Sequence, residues 1–284
     1  MKALSAPRVP DRKLLKQLAA RARTGGGVQL ALHLSSILRQ YAHVRVNRGN
    51  VLHIPSLAPP ISNALKAAFN YWFQSPDEDF RYIERIRKKL SPDVCPMCGS
   101  SAPTSVDHVL TRKMYPELIL FSLNLVPACT CNELRRTDPL QAPLHPYFDE
   151  ALLNLRLVKA EFTGEFQSPD VSFSPSAAVP VGDRARVDSH IRCVLIPRNI
   201  ENALIRRWVT ITARPESTLA LPKGASVNDV QTALLERRDT ADSDYGTPNN
   251  WESILFDAMS SNMRIAQGIS AILGGTPITQ LPAL

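Results

Sequence analysis

Residues 95–136 read CPMCGSSAPTSVDHVLTRKMYPELILFSLNLVPACTCNELRR, with two tight cysteine pairs separated by 30 residues. Cys95 and Cys98 have the C-x-x-C spacing that lets two thiolates reach one Zn²⁺ from a single turn. Cys129 and Cys131 supply a second pair, one residue shorter, as C-x-C. Four sulfurs would make a closed tetrahedral set, and a closed set is structural because it leaves no coordination position for a substrate. Two alternatives stand beside it. Cys95 and Cys98 read alone are a redox dithiol, although no thioredoxin-like strand and helix pattern surrounds them; and the shortened second pair allows a strained or three-sulfur site.

Between the pairs lies Asp107-His108, approached by the apolar Val106, which predicts the end of a strand or a tight turn. A carboxylate can hold a hard divalent ion while an adjacent imidazole takes a proton from water, the combination that phosphodiester hydrolysis needs. An Asp-His dipeptide by itself is common and carries little. Its setting adds weight, because Asn132 follows the last cysteine at the start of a predicted helix, where its amide oxygen could reach the same ion as Asp107. Asn124 precedes the second pair and is placed to brace the loop that carries His108.

These residues resemble the HNH endonuclease family, whose core is a ββα-metal fold. DHVLTRKMYPELILFSLNLVPACTCN is similar to a bacterial subgroup reading DHYLPKxxYPE followed by NLVPxCxxCN, found as the nuclease partner of an ATPase in anti-phage systems such as Septu and some retrons. HPYFD at His145 to Asp149 and NNWESILFDAM at Asn249 to Met259 are similar to its C-terminal signatures. The resemblance implies Asp107 and Asn132 as ligands of a catalytic Mg²⁺ or other divalent ion, His108 as general base and Asn124 as an orienting residue. It also implies Arg112 and Arg135 as phosphate contacts, with Cys95, Cys98, Cys129 and Cys131 holding structural Zn²⁺. Thr111 stands where the subgroup has Pro. DNA is the expected substrate, with RNA as the alternative in an RNA- or tRNA-directed toxin using the same groups, and an ATPase is the implied partner; the chain itself has no G-x-x-x-x-G-K phosphate loop.

Working outward, the 284 residues suffice for one large or several modest substructures, and no apolar run has the length of a membrane span. Cysteines concentrated in two pairs fit a reducing compartment, so the cytoplasm is the expected location. The net charge of +7 is unevenly placed, with ten Lys or Arg against one acid in the first fifty residues. Such an arm suits phosphate neutralisation and, equally, a solvated basic helix face or a surface for an acidic protein partner. Alternatively, the zinc turn and basic arm together form a non-catalytic binding module.

The flanks read mainly as helix. Asp11 is placed to cap a helix running to about Arg23, broken by Gly25-Gly26-Gly27, and Leu30, Leu34, Ile37, Leu38 and Tyr41 continue at helical spacing. Val44 to Pro60 reads as a short strand or extended linker. Ser62 or Asn63 caps a helix bearing Leu65, Phe69 and Phe73, and Ser75 to Glu78 starts another. Lys159 to Pro180 alternates as strands, Ala185 to Ala213 is helical with an irregularity at Pro197, and Thr240 to Asn250 is a polar loop between helices. Lone Cys193 reads as a small buried apolar residue. His145, Tyr147 and Asp149 read as a hydrogen-bonded turn. The expectation is an α+β, mostly helical protein with a basic helical region at 1–90, a ββα-metal core at 91–145 and an α+β region at 146–284 that offers a partner-binding surface.

Overall fold

Four helices come first in the computed structural model, which describes residues 1–21, 26–88, 90–138 and 140–284. Helix α1 (Asp11–Arg21) and helix α2 (Gly26–Val46) pack together, followed by α3 (Asn63–Gln74) and α4 (Arg81–Lys88). The end of α1 near Arg23 and Gly25 of the expected break lie outside the described residues. Ser62 caps α3 by accepting from Leu65 N at 3.2 Å, and Leu65, Phe69 and Phe73 on one face are buried. Asp11 does not act as an end cap. Its carboxylate accepts from Ser122 N and Oγ and pairs with Arg45 at 3.0 Å, tying α1 to the central segment. No strand forms between Val44 and Pro60. There α2 continues to Val46 and a single 3-10 turn covers Val51–His53, because prolines 55, 59 and 60 supply no ladder donors.

The central segment holds a two-stranded antiparallel hairpin, β1 (Ser105–His108) against β2 (Leu125–Ala128), with His108 opposite Leu125 and Asp107 opposite Val126. Helix α5 (Cys131–Leu134) follows β2 immediately. Alternation along β1 turns Val106 and His108 toward the N-terminal helices, where His108 packs on Phe73, and turns Asp107 toward α5. The hairpin therefore sits at the seam between two buried clusters. Val106 and Leu125 belong to the core of α1 to α4; Val126 and Ala128 belong to a second core built with the C-terminal residues. Residues 91–145 contribute to both.

The C-terminal part comprises α6 (Glu150–Leu153), the hairpin β3 (Val158–Glu165) and β4 (Ser168–Pro175), then α7 (Arg184–His190). A π turn at Ile191–Leu195 follows, closed by Ile196 N to Ile191 O, and this is the irregularity ahead of Pro197. Helices α8 (Ile200–Ala213), α9 (Pro215–Leu219), α10 (Val227–Tyr245), α11 (Trp251–Ser260) and α12 (Met263–Leu273) complete the chain. Trp208 stacks on Phe162 and donates to Phe166 O at 2.9 Å. Phe166 lies so close to α12 that a Cβ at Gly268 would meet its ring at 2.2 Å.

The expected loop from Thr240 to Asn250 is helical as far as Tyr245. Asp242 in that turn is held by Arg156 at 2.8 Å, Ala241 is buried, and left-handed Gly246 ends the helix. The architecture is α+β and dominated by helix, with two small antiparallel sheets. Among the described residues no helix is long and apolar enough to cross a membrane.

Candidate metal centre and adjoining cleft

The four cysteines converge. Cys95 and Cys98 lie on a turn opened by the Val94–Ser101 bridge and closed by Gly99 N to Cys95 O at 2.8 Å. Cys129 directly follows β2 and Cys131 begins α5, with Thr130 already in helical conformation between them. That immediate turn into the helix is why one intervening residue suffices. Cys95 and Cys131 sulfurs are 3.7 Å apart, Cys98 and Cys129 sulfurs 3.4 Å, and all four lie within 4.8 Å of one another. Sulfurs placed about 2.3 Å from a tetrahedral zinc are about 3.8 Å from each other, whereas a disulfide needs about 2.05 Å. The buried set can hold a metal such as zinc.

The first turn is clamped from several sides. His190 Nε2 donates to Met97 O at 2.7 Å, Trp251 Nε1 to Cys98 O at 2.6 Å and Lys2 N to Pro96 O at 3.1 Å. Gly99 sits at φ +77, and a Cβ there would come within 2.1 Å of Asn249 O. The thiols lean on one another, so hydrogen bonds from Cys131, Cys95 and Cys98 hold Cys129 below the ordinary thiol range, and those with Cys129, Cys95 and Cys98 push Cys131 up. Two cationic groups face them. Burial lowers the Met1 amine to about 6 while the cysteines draw it back up; burial likewise opposes the charge on Arg198, but contact with Cys129 and the cluster raises its pKa.

Asp107, His108, Asn132, Arg112 and Arg135 all line one open, polar cleft of about 670 Å³ beside α5. Asn124 is not among them. It lies behind, fully buried, where Oδ1 accepts from Leu110 N at 2.7 Å and Nδ2 donates to Leu110 O at 3.0 Å and Leu118 O at 3.2 Å. Those bonds hold the chain just after His108.

His108 Nε2 is 3.0 Å from Ile119 O, and since a carbonyl only accepts, Nε2 carries the proton. Nδ1 has no partner among the described residues and is left as the basic nitrogen. Burial lowers the pKa to about 3, so the ring is neutral. Burial pushes Asp107 up, against the opposing pull of Arg135. Asn132 Nδ2 donates to Ser105 Oγ at 3.1 Å, while its buried Oδ1 has no hydrogen-bond partner.

Arg135 departs from the expected phosphate contact. Its Nε lies 2.9 Å from Asp107 Oδ2 and its other nitrogens donate to the carbonyls of His108 and Val109. A carboxylate turned inward at the end of β1 needs a charge partner, and Arg135 one turn along from Asn132 supplies it. Arg112 remains exposed, 5.5 Å above the Phe73 ring and 3.3 Å from Asn70 Oδ1. Five lining residues escaped the sequence reading, the polar or charged Lys66, Asn70, Lys113, Glu133 and Thr137. Lys66 and Asn70 are one turn apart on α3, along the edge of its buried face, and that spacing was the available signal.

None of the described cleft residues comes from the basic first fifty residues. There, Arg21 pairs with Asp79, Arg45 with Asp11, and Arg48 donates to Phe148 O. The turn at His145 is structural: Tyr147 OH donates to Leu125 O at 2.7 Å, and Asp149 accepts from His145 N and Arg186. Cys193 is half-buried rather than buried, because it follows α7 at the edge of a neighbouring cavity.

No family model and no solved structure matches the chain. A stretch of 67 residues, 21% of the chain, is 36% identical to Protein ea31 of Escherichia phage lambda, and it spans 23% of that protein.

Proposed function

We propose that this chain is a divalent-ion-dependent endonuclease of the HNH type that hydrolyses phosphodiester bonds in nucleic acid, DNA first and RNA as the alternative. The observation that carries the reading is the tautomer of His108 beside Asp107 and Asn132 in a cationic cleft: Nε2 is committed to Ile119 O, and Nδ1 is free to accept a proton.

In the reaction, His108 Nδ1 takes a proton from water as the water oxygen bonds to phosphorus and the phosphorus–oxygen bond to the leaving sugar breaks. Lys66, Arg112 and Lys113 attract and orient the phosphate backbone. The orphaned Asn132 Oδ1 and the carboxylate of Asp107 fit an oxygen-seeking cation such as Mg²⁺, which when bound would offset charge on the phosphate and the leaving oxygen. Arg135 opposes the upward push of burial on Asp107 and so favours its carboxylate form. The four cysteines, with zinc bound, would fix the position of α5, and so of Asn132, against β1. The family resemblance extends the proposal to an effector controlled by an ATPase partner in anti-phage defence.

One observation favours a second reading, a non-catalytic nucleic-acid-binding module: Asp107 is already paired with Arg135. A single experiment separates them. Purified protein is incubated with supercoiled plasmid, or with RNA, and Mg²⁺ or Mn²⁺. Hydrolysis that falls about a hundredfold or more in folded, metal-loaded His108→Ala supports the nuclease. Binding without hydrolysis, or an unchanged rate in His108→Ala, overturns it.

A further inference from the structure

Beside the cleft lies a second cavity of about 230 Å³ whose character is different. Its wall is apolar, with Val51, Leu110, Met114, Tyr115 and Val194 drawn from both halves of the chain. Thr111, Arg135 and Thr137 line both spaces, so the cavity and the cleft share a wall. At its rim the Gln141 side chain makes no hydrogen bond among the described residues, leaving a donor and an acceptor side by side. Arg136 at the same rim is exposed.

A largely apolar cavity lined also by an unpartnered amide and by Arg136, with the Asp138 carboxylate already engaged by Ser189 and Arg192, matches one class of ligand. A nucleobase has apolar faces to pack between Met114, Tyr115 and Val194, and a polar edge that a Gln amide can pair in two places. Its phosphate would lie toward Arg112 and Lys113, which flank the cleft. A base held in a duplex cannot enter, since its faces are stacked and its edge is paired.

We propose that this cavity receives one unpaired nucleobase of the strand whose phosphate lies in the neighbouring cleft, so that the substrate is single-stranded or locally unpaired nucleic acid. The inference rests on the phosphodiesterase reading and adds the substrate class. It assigns Gln141 as a base contact and the wall around Tyr115 as the packing surface.

The test uses zinc-loaded His108→Ala full-length chain and fluorescently labelled oligonucleotides of one sequence, as single-stranded DNA, single-stranded RNA and DNA duplex. A series of single-stranded oligonucleotides carries one abasic position each. Intact single strands are expected to bind more tightly than duplex, and one abasic position to weaken binding by about tenfold, the loss of one packed base. Gln141→Ala should weaken binding of the intact strand and leave that abasic strand unaffected. Cys193→Phe, which fills the cavity from its edge, should act in the same direction; Gln141→Ala, at a half-buried rim position, keeps the test independent of whether Cys193→Phe folds. The DNA and RNA arms identify the source of the base. Equal affinity for intact strand, duplex and every abasic strand overturns the inference. Plasmid nicking by wild-type chain together with no abasic effect overturns the inference and leaves the nuclease standing; an abasic effect without hydrolysis in any divalent ion does the reverse.

Discussion

Arg135 Nε lies 2.9 Å from Asp107 Oδ2, and the two side chains are only 9% and 10% exposed. This pair joins the strand that carries His108 to the residues following α5, which carries Asn132. Removing one partner of a buried pair leaves an uncompensated charge and costs about 3–5 kcal/mol. Arg135→Gln is therefore expected to lower the urea midpoint strongly. If Asp107 also receives the divalent ion, Mg²⁺ should raise the melting temperature of Arg135→Gln more than that of wild type, because the ion then replaces the missing guanidinium. Equal responses to Mg²⁺ would remove Asp107 from the ligand set.

The sulfur geometry predicts that the short Cys129-Thr-Cys131 pair contributes as much as Cys95 and Cys98. All four sulfurs lie within 4.8 Å of one another, so neither member of the short pair stands outside the set. Purified protein should contain one zinc per chain by elemental analysis. Each of Cys95→Ser, Cys98→Ser, Cys129→Ser and Cys131→Ser should lose it and unfold at lower denaturant. Full retention of zinc in Cys129→Ser alone would mean a three-sulfur site.

Asn124 makes three buried hydrogen bonds to the backbone of Leu110 and Leu118. Its replacement by Ala strands those groups and should cost about 3 kcal/mol in chemical denaturation. Because Leu110 follows His108 by two residues, Asn124→Ala should also loosen the imidazole, seen as broadened His108 ring resonances in an NMR spectrum. Intact stability would show that water replaces the amide there.

Much of this arrangement was legible along the chain because its signals are local. Ser62 caps α3, the β3–β4 hairpin alternates, and Val106 leads Asp107 and His108 to the end of a strand. The cysteine spacing announced a metal-competent cluster. What was not legible depends on packing at a distance. Arg135 follows Asn132 by three residues and is expected, from the resemblance, at the phosphate, yet the inward Asp107 pairs with it. Lys66 and Asn70 reach the cleft because burial of Phe69 and Phe73 turns the adjoining edge of α3 toward it. Thr240 to Tyr245 looked like a loop from its polar composition; Arg156, more than eighty residues upstream, holds Asp242 and keeps the turn helical.

His145 predicts the sign of one pH response. The ring is buried, its Nδ1 accepts from Tyr147 N at 3.2 Å, and burial lowers its pKa to about 4. Asp149 opposes that shift and Arg186 adds to it, while Arg48 reaches the neighbouring Phe148 carbonyl. In the unfolded chain the same ring takes a proton near pH 6.5. Between about 6.5 and about 4 the unfolded state thus holds a proton that the folded state refuses, so stability is complete above 6.5 and declines as pH falls through this window. The slope approaches about 1.4 kcal/mol per pH unit, or about 2 kcal/mol between pH 7 and pH 5. Asn at this position keeps an acceptor for Tyr147 N but cannot titrate. His145→Asn should therefore lose about 2 kcal/mol less than wild type over that interval, measured by urea unfolding at both pH values. Parallel losses in the two proteins would show that His145 is already protonated in the fold.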